Sequence, residues 1–124
     1  MQEKIETIMI NDVEYVRKDQ LQNEQAEKYD DMEYVIVRTY SAGVHSGYLK
    51  RRDGQEVELV KSRRFWKWYG SASLSQFAES GTSKPNECKF PEEVSNIILT
   101  EAIEIIKVSK KAKETIDKVP VWKA

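Results

Sequence analysis

The sequence predicts an α+β domain, an antiparallel sheet of about five strands with short helices on one side or end. Three observations predict it. Residues 34–40, 44–51 and 55–60 are β-prone runs, and Asp53-Gly54 between the last two is a strong hairpin turn. Residues 97–108 are rich in β-branched side chains. Two short segments each follow a capping serine and end at a glycine or proline. The chain has 124 residues, 40% of them hydrophobic, which suffices for one core of ordinary size.

Taken in order, Ile5 to Ile10 alternates loosely, breaks at Asn11-Asp12 and resumes over Val13 to Val16, the pattern of a short hairpin. Asp19 with Gln22 resembles a capping box and predicts a helix through about Tyr29. That helix has only Leu21 and Ala26 as apolar offerings, so it is either solvent-exposed or supported by another subunit. Residues 1–31 therefore form an N-terminal hairpin and helix suited to oligomerisation, and residues 32–124 form a single α+β ligand-binding domain. Tyr34 to Tyr40 is β-prone on both alternating faces, which suits a central strand. Val44 to Arg51 and Gln55 to Val60 flank the Asp53-Gly54 turn, and the stretch after Val60 can continue the second of these strands. Ser71 or Ser73 caps a helix that carries Leu74, Phe77 and Ala78 and stops at Gly81. Pro91 to Val94 reads as one helical turn with proline at its first position. For Ile97 to Val108, Glu101, Ala102 and Glu104 tolerate helix, but the β-branched content favours one or two strands. Ser109 caps a basic helix from Lys110 to Lys118, Pro120 ends it, and Trp122 docks the C-terminus onto the body.

Net charge is -1, so no global attraction draws the chain to nucleic acid or to anionic membranes. The distribution is uneven: residues 1–33 sum to -6, residues 34–68 to +5, and the remainder is balanced. One cysteine, Cys88, excludes an internal disulfide and fits a reducing interior. The absence of a cationic start followed by an apolar run leads to the expectation of no signal peptide, and no run reaches membrane-span length.

Residues 62 to 70 read Ser-Arg-Arg-Phe-Trp-Lys-Trp-Tyr-Gly. Four of the twelve aromatics and two of the three tryptophans fall in five consecutive positions, interleaved with cations. Flat π surfaces stack on bases and fixed cations pair with phosphates. Trp66 and Trp68 are thus candidate stacking residues, and Arg63 and Arg64 candidate phosphate ligands. The plainer alternative puts alternate aromatics in the core. Strand alternation puts Arg64, Trp66 and Trp68 on one face, with Phe65 and Lys67 on the other. Ser71 and Ser73 follow Gly70 at a helix start, where amides and hydroxyls either hold a phosphate or simply cap the helix. Arg38, inside an apolar strand, needs a partner such as Glu101, Glu104 or a ligand phosphate. Tyr40 and the only histidine, His45, stand near the end of that strand. Lys50-Arg51-Arg52 is either a phosphate-contacting hairpin tip or a solvated turn. No orienting carboxylate or nucleophile is spaced for catalysis by His45, and one His with one Cys argues against zinc. No cofactor fingerprint is present, so neither catalysis nor a cofactor or metal is expected.

The run Tyr34-Val35-Ile36-Val37-Arg38-Thr39-Tyr40-Ser41-Ala42-Gly43-Val44 resembles a family of small phage and prophage proteins. So do Arg63-Arg64-Phe65-Trp66, Gly70-Ser71-Ala72-Ser73-Leu74-Ser75, Lys89-Phe90-Pro91, Leu99-Thr100-Glu101 and Pro120-Val121-Trp122. The group is the phage Thoeris anti-defence sponges, first Thoeris anti-defence type. The resemblance covers about residues 34–123. It implies a non-enzymatic protein of the host bacterial cytoplasm that sequesters a cyclic ADP-ribose-type immune signal, with cyclic oligonucleotides as further ligands, and that assembles as a dimer or a higher oligomer such as a hexamer. The binding positions named above rest on residue chemistry and not on that resemblance. The competing functions are a single-stranded nucleic-acid module, against which the near-neutral charge counts, and a nucleotide hydrolase using Asp53, Glu56 and Glu58.

Overall fold

In the computed structural model, residues 7–10, 13–16 and 24–123 are described. Strands β1 (Thr7–Ile10) and β2 (Val13–Val16) pair antiparallel with Ile10 opposite Val13. The Asn11-Asp12 turn of this hairpin lies outside the described residues, as do residues 19–23 of the expected helix. The described remainder of that helix is not helical. Residues 24–28 form no helical turn, with the Ala26 amide donating to the Val108 carbonyl at 3.0 Å and Gln25 bridged to Ser109. With no apolar helical face to bury, this segment gains more from main-chain bonds to the body, and Ala26 alone enters the core.

The body is the expected α+β unit. Five strands, β3 (Tyr34–Thr39), β4 (Val44–Asp53), β5 (Glu56–Phe65), β6 (Val94–Leu99) and β7 (Ala102–Lys107), form one sheet in the order β6-β5-β4-β3-β7. Every neighbouring pair is antiparallel. Two short helices, α1 (Leu74–Ser80) and α2 (Lys110–Lys118), accompany it. The single turn expected at Pro91 forms instead one proline earlier, as a 3-10 turn over Pro85–Glu87. Val94 is held in β6 by its pairing with Ser62, which leaves Pro91 to Glu93 as connecting chain.

One connection dictates the shape. β6 and β7 are the two edges of the sheet, yet only Thr100 and Glu101 separate them. Three peptide steps span at most about 11 Å, so the edges meet at this end and the sheet rolls up. The Ala102 amide closes the roll by donating to the Gln55 carbonyl at 3.0 Å. Val35, Val37, Val57, Leu59, Leu99 and Ala102 fill the inside. The outer face, with Tyr34, Ile36 and Phe65, packs against Phe77 and Ala78 of α1 and Ala112 and Ile116 of α2.

β5 serves both faces because of a bulge. Val57 and Leu59 point inside, and strict alternation would send residues 61, 63 and 65 the same way. Instead the register with β4 shifts between Ser46 and Tyr48, and Lys61 takes a left-handed φ of 53°. The extra residue reverses the strand's faces, so Arg63 and Phe65 reach the helix side. Gly47 sits opposite, where a Cβ would come within 3.1 Å of Leu59 and 3.2 Å of Ser62 and the Val60 carbonyl.

Arg63 is 8% exposed and has no carboxylate partner within ion-pair distance among the described residues. Its Nη1 donates to the Ile116 and Val119 carbonyls at 3.1 and 3.0 Å, and Nη2 to those of Phe90 and Pro120 at 3.2 and 3.5 Å. Two of these carbonyls belong to the C-terminal end of α2, the negative end of the helix dipole. Burial pulls the guanidinium below its ordinary value. Arg63→Ala is expected to cost about 3–5 kcal/mol, because it strands these carbonyls in the core. Urea unfolding measures this, and a loss below about 1 kcal/mol would show that the carbonyls find other partners.

Candidate functional site

β5 ends at Phe65, and this divides the aromatic-basic stretch. Phe65 is buried, stacked on Phe90 at 4.1 Å and 11°. Trp68 is half-buried and meets Phe77 edge-on at 5.8 Å, a core contact. Trp66 leaves the strand at a bend and is 58% exposed. Arg64, Trp66 and Trp68 therefore do not share the strand face that alternation gave them, since the strand stops before it reaches the tryptophans.

Trp66 has a different partner. The Trp66 amide donates to the Lys89 carbonyl, and the Trp122 amide to the Phe90 carbonyl, each at 3.0 Å. Lys89-Phe90 thus forms a short rib between the end of β5 and the C-terminal segment. The indoles from its two sides lie parallel, 6.3 Å apart and inclined by 6°. The Lys89 ammonium stands 5.6 Å from the Trp122 ring centre, in cation–π range. Trp122, expected only to dock the C-terminus, does so through Phe90 and also completes this surface. Neither Lys89 nor Trp122 was singled out from sequence as a binding residue. They lie 23 and 56 positions beyond Trp66, and the Lys89-Phe90-Pro91 and Pro120-Val121-Trp122 runs were the only local signals.

The remaining candidates form a second group around the β3–β4 turn. The Ala42 carbonyl accepts from His45 Nε2 at 2.9 Å and from Arg64 Nη1 at 2.7 Å. His45 is 1% exposed on the inner side of the roll, and Arg64 is its cross-strand partner. Thr39 braces the turn by donating to the Gly43 carbonyl at 2.7 Å and accepting from the Ala42 amide at 2.8 Å. Tyr40 projects from it, 79% exposed. Arg38 is exposed and pairs with Glu104 at 2.9 Å, one of the two glutamates proposed from sequence. Arg63 belongs to neither group, because its donors are engaged on buried carbonyls. Ser73 is the N-cap of α1 and accepts from the Gln76 amide, while Ser71 donates to the Ser73 carbonyl at 3.2 Å. The Ala72 amide is taken by Gln76 Oε1 at 2.8 Å, so capping engages the polar groups that a phosphate would use.

The arrangement defines a class first: a rolled α+β domain with an exposed indole–ammonium surface that can stack on planar rings and attract anions. A family model described as a domain of unknown function (DUF6948) matches residues 32–116, and the chain belongs to that family. Trp66 and Lys89 lie within the matched residues and Trp122 beyond them. No curated protein and no solved structure matches the chain. Among the described residues, no helix is long and apolar enough to cross a membrane.

His45 supplies a prediction. Burial lowers its pKa from 6.5, the Ala42 bond raises it in part, and the neighbouring Arg64 charge lowers it further. The neutral ring is therefore favoured in the folded state, and its contribution to stability is present above about pH 6.5. It is lost as pH falls from there through the folded-state pKa, at no more than about 1.4 kcal/mol per pH unit. Urea midpoints between pH 7.5 and 5 should fall in the parent and fall less in His45→Gln. Parallel curves would assign the pH dependence to other groups.

Proposed function

We propose that this protein is a phage-encoded sponge that binds and sequesters a cyclic ADP-ribose-type immune signal, with cyclic oligonucleotides as further ligands, in the host bacterial cytoplasm without degrading it. The observation that carries this reading is the exposed parallel pair Trp66 and Trp122 with the Lys89 ammonium beside it. Such a surface suits an adenine ring bearing nearby phosphate: stacking contributes about 1–3 kcal/mol per base, and the ammonium provides a charge for the pyrophosphate. Arg64 adds a second cation. One of its Nη atoms holds the Ala42 carbonyl, and it retains further N–H donors on an exposed side chain. Sequestration needs stoichiometric binding without bond breaking, and the β3–β4 turn and the Lys89-Phe90 rib provide braced main chain for it. Assembly as a homo-oligomer is part of the same proposal.

The openness of the tryptophan pair also suits a single-stranded nucleic acid, which stacks successive bases on exposed aromatics. The two readings separate in one experiment. The protein is mixed with cyclic ADP-ribose isomers, filtered, and heat-denatured. Stoichiometric depletion followed by recovery of intact ligand is the expected outcome. Altered ligand would identify an enzyme. No depletion, together with steeply salt-dependent oligonucleotide binding, would favour the nucleic-acid module. Trp66→Ala should weaken capture at least about tenfold, as loss of one stacked base implies, with an unchanged unfolding midpoint. Full affinity in this variant would remove the tryptophan pair from the site.

A further inference from the structure

We infer that the outer edge of β7 and the β4–β5 hairpin tip form a docking site for an extended peptide segment carrying a carboxylate. A cleft of about 520 Å³ lies between them, lined by Arg52, Gln55 and residues 102–105. Two features give it chemistry. The first is an unfinished hydrogen-bond ladder. Among the described residues β7 pairs only with β3, and in an antiparallel pair the main-chain groups of successive residues point alternately toward and away from the neighbour. The Val108 amide donates to the Tyr34 carbonyl, and Ile106 is opposite Ile36, so Ile105 and Lys107 point their amides and carbonyls away from β3. Ala102, beyond the irregularity at Arg38, also points outward, and its amide is taken by Gln55 at 3.0 Å. The first rung on the outer edge is therefore made by the hairpin tip, and the rung at Ile105 has no partner among the described residues. An extended chain entering the cleft continues that ladder, as in strand addition to a free edge.

The second feature is charge. Of the three consecutive cations at the tip, Lys50 and Arg51 are neutralised on the outer face, Lys50 by Glu58 and Arg51 by Glu56 and Glu58. A register irregularity between Leu49 and Arg51 turns Arg52 to the other side, opposite Val57. There its Nε holds the Gly54 carbonyl at 3.2 Å, and its two terminal nitrogens have no partner among the described residues. The nearby Glu104 is already paired with Arg38. The uncompensated group in the cleft is thus a guanidinium fork, which matches a carboxylate. The one carboxylate that a second copy's β7 would bring, Glu104, is already held by Arg38, so a peptide with an unpaired carboxylate answers Arg52 better.

The test uses the full chain, labelled with nitrogen-15. The probe is an acetylated, amidated seven-residue peptide of alternating valine and threonine with one central glutamate. Saturable shifts of the Ile105 and Lys107 amides are expected. Affinity should fall at least about tenfold, the scale of losing one or two main-chain hydrogen bonds, when alternate amides of the probe are N-methylated. It should fall similarly when its glutamate is replaced by lysine, or in the exposed-site variant Arg52→Ala. Absence of shifts, equal binding of the N-methylated probe, or the same shifts from free glutarate would overturn the proposal. So would shifts at Ile105 that follow protein concentration alone, since these would assign the edge to a second copy.

Discussion

One buried cation organises the helix-covered side of this protein. The Arg63 guanidinium lies between the end of α2, the segment after it and the Lys89-Phe90 rib, and bonds a carbonyl from each. A charge in such a place is tolerated only with dense hydrogen bonding. The fold supplies it from main chain instead of from a carboxylate. Because carbonyls of a helix terminus otherwise lack partners, one side chain both closes α2 and fixes the direction in which the C-terminus departs. Trp122 leaves from that point.

The bulge at Lys61 is what puts Arg63 there. A sheet rolled tightly enough to bring β6 and β7 together has a small interior, filled by aliphatic side chains from β3, β5, β6 and β7. Arg63 and Phe65 would not fit in it. Reversing the faces of β5 midway lets one strand line the roll with Val57 and Leu59 and then dock α1 and α2 with Phe65. The same device works at the hairpin tip, where the second irregularity separates Arg52 from Lys50 and Arg51. Two single-residue irregularities in one hairpin thus decide which cations are structural, which are neutralised and which face open space.

The helices are positioned by equally local means. Ser109 caps α2 by accepting from the Ala112 amide at 3.0 Å, and its hydroxyl donates to the Glu79 carbonyl at the end of α1. Gly81 ends α1 with φ 77°, and a Cβ there would lie 3.0 Å from the Ala112 Cα. A small residue on each helix thus allows close crossing, and the pair covers the outer face of the sheet. The tryptophan pair lies at the margin of this packing, held by main-chain bonds and free to meet solvent.

The sequence alone determined what depends on neighbours along the chain. Periodicity placed the strands of the sheet, Asp53-Gly54 the hairpin, and Gly81 and Ser109 helix ends, while the choice of Ser73 over Ser71 as cap and of Glu104 over Glu101 as the partner of Arg38 came from the structure. The sequence also concentrated aromatics and cations where an exposed indole is found. The tertiary structure decided what depends on register and on distant segments. Alternation predicted a shared face for Arg64, Trp66 and Trp68. The end of the strand at Phe65 scattered them, and it leaves no clear mark in composition. The described part of the helix expected through Tyr29, and the turn expected at Pro91, gave way to long-range pairing with Val108 and with Ser62. Trp66 found its partner 56 positions away because Phe90 lies between the two segments, a coincidence in space that no local pattern encodes.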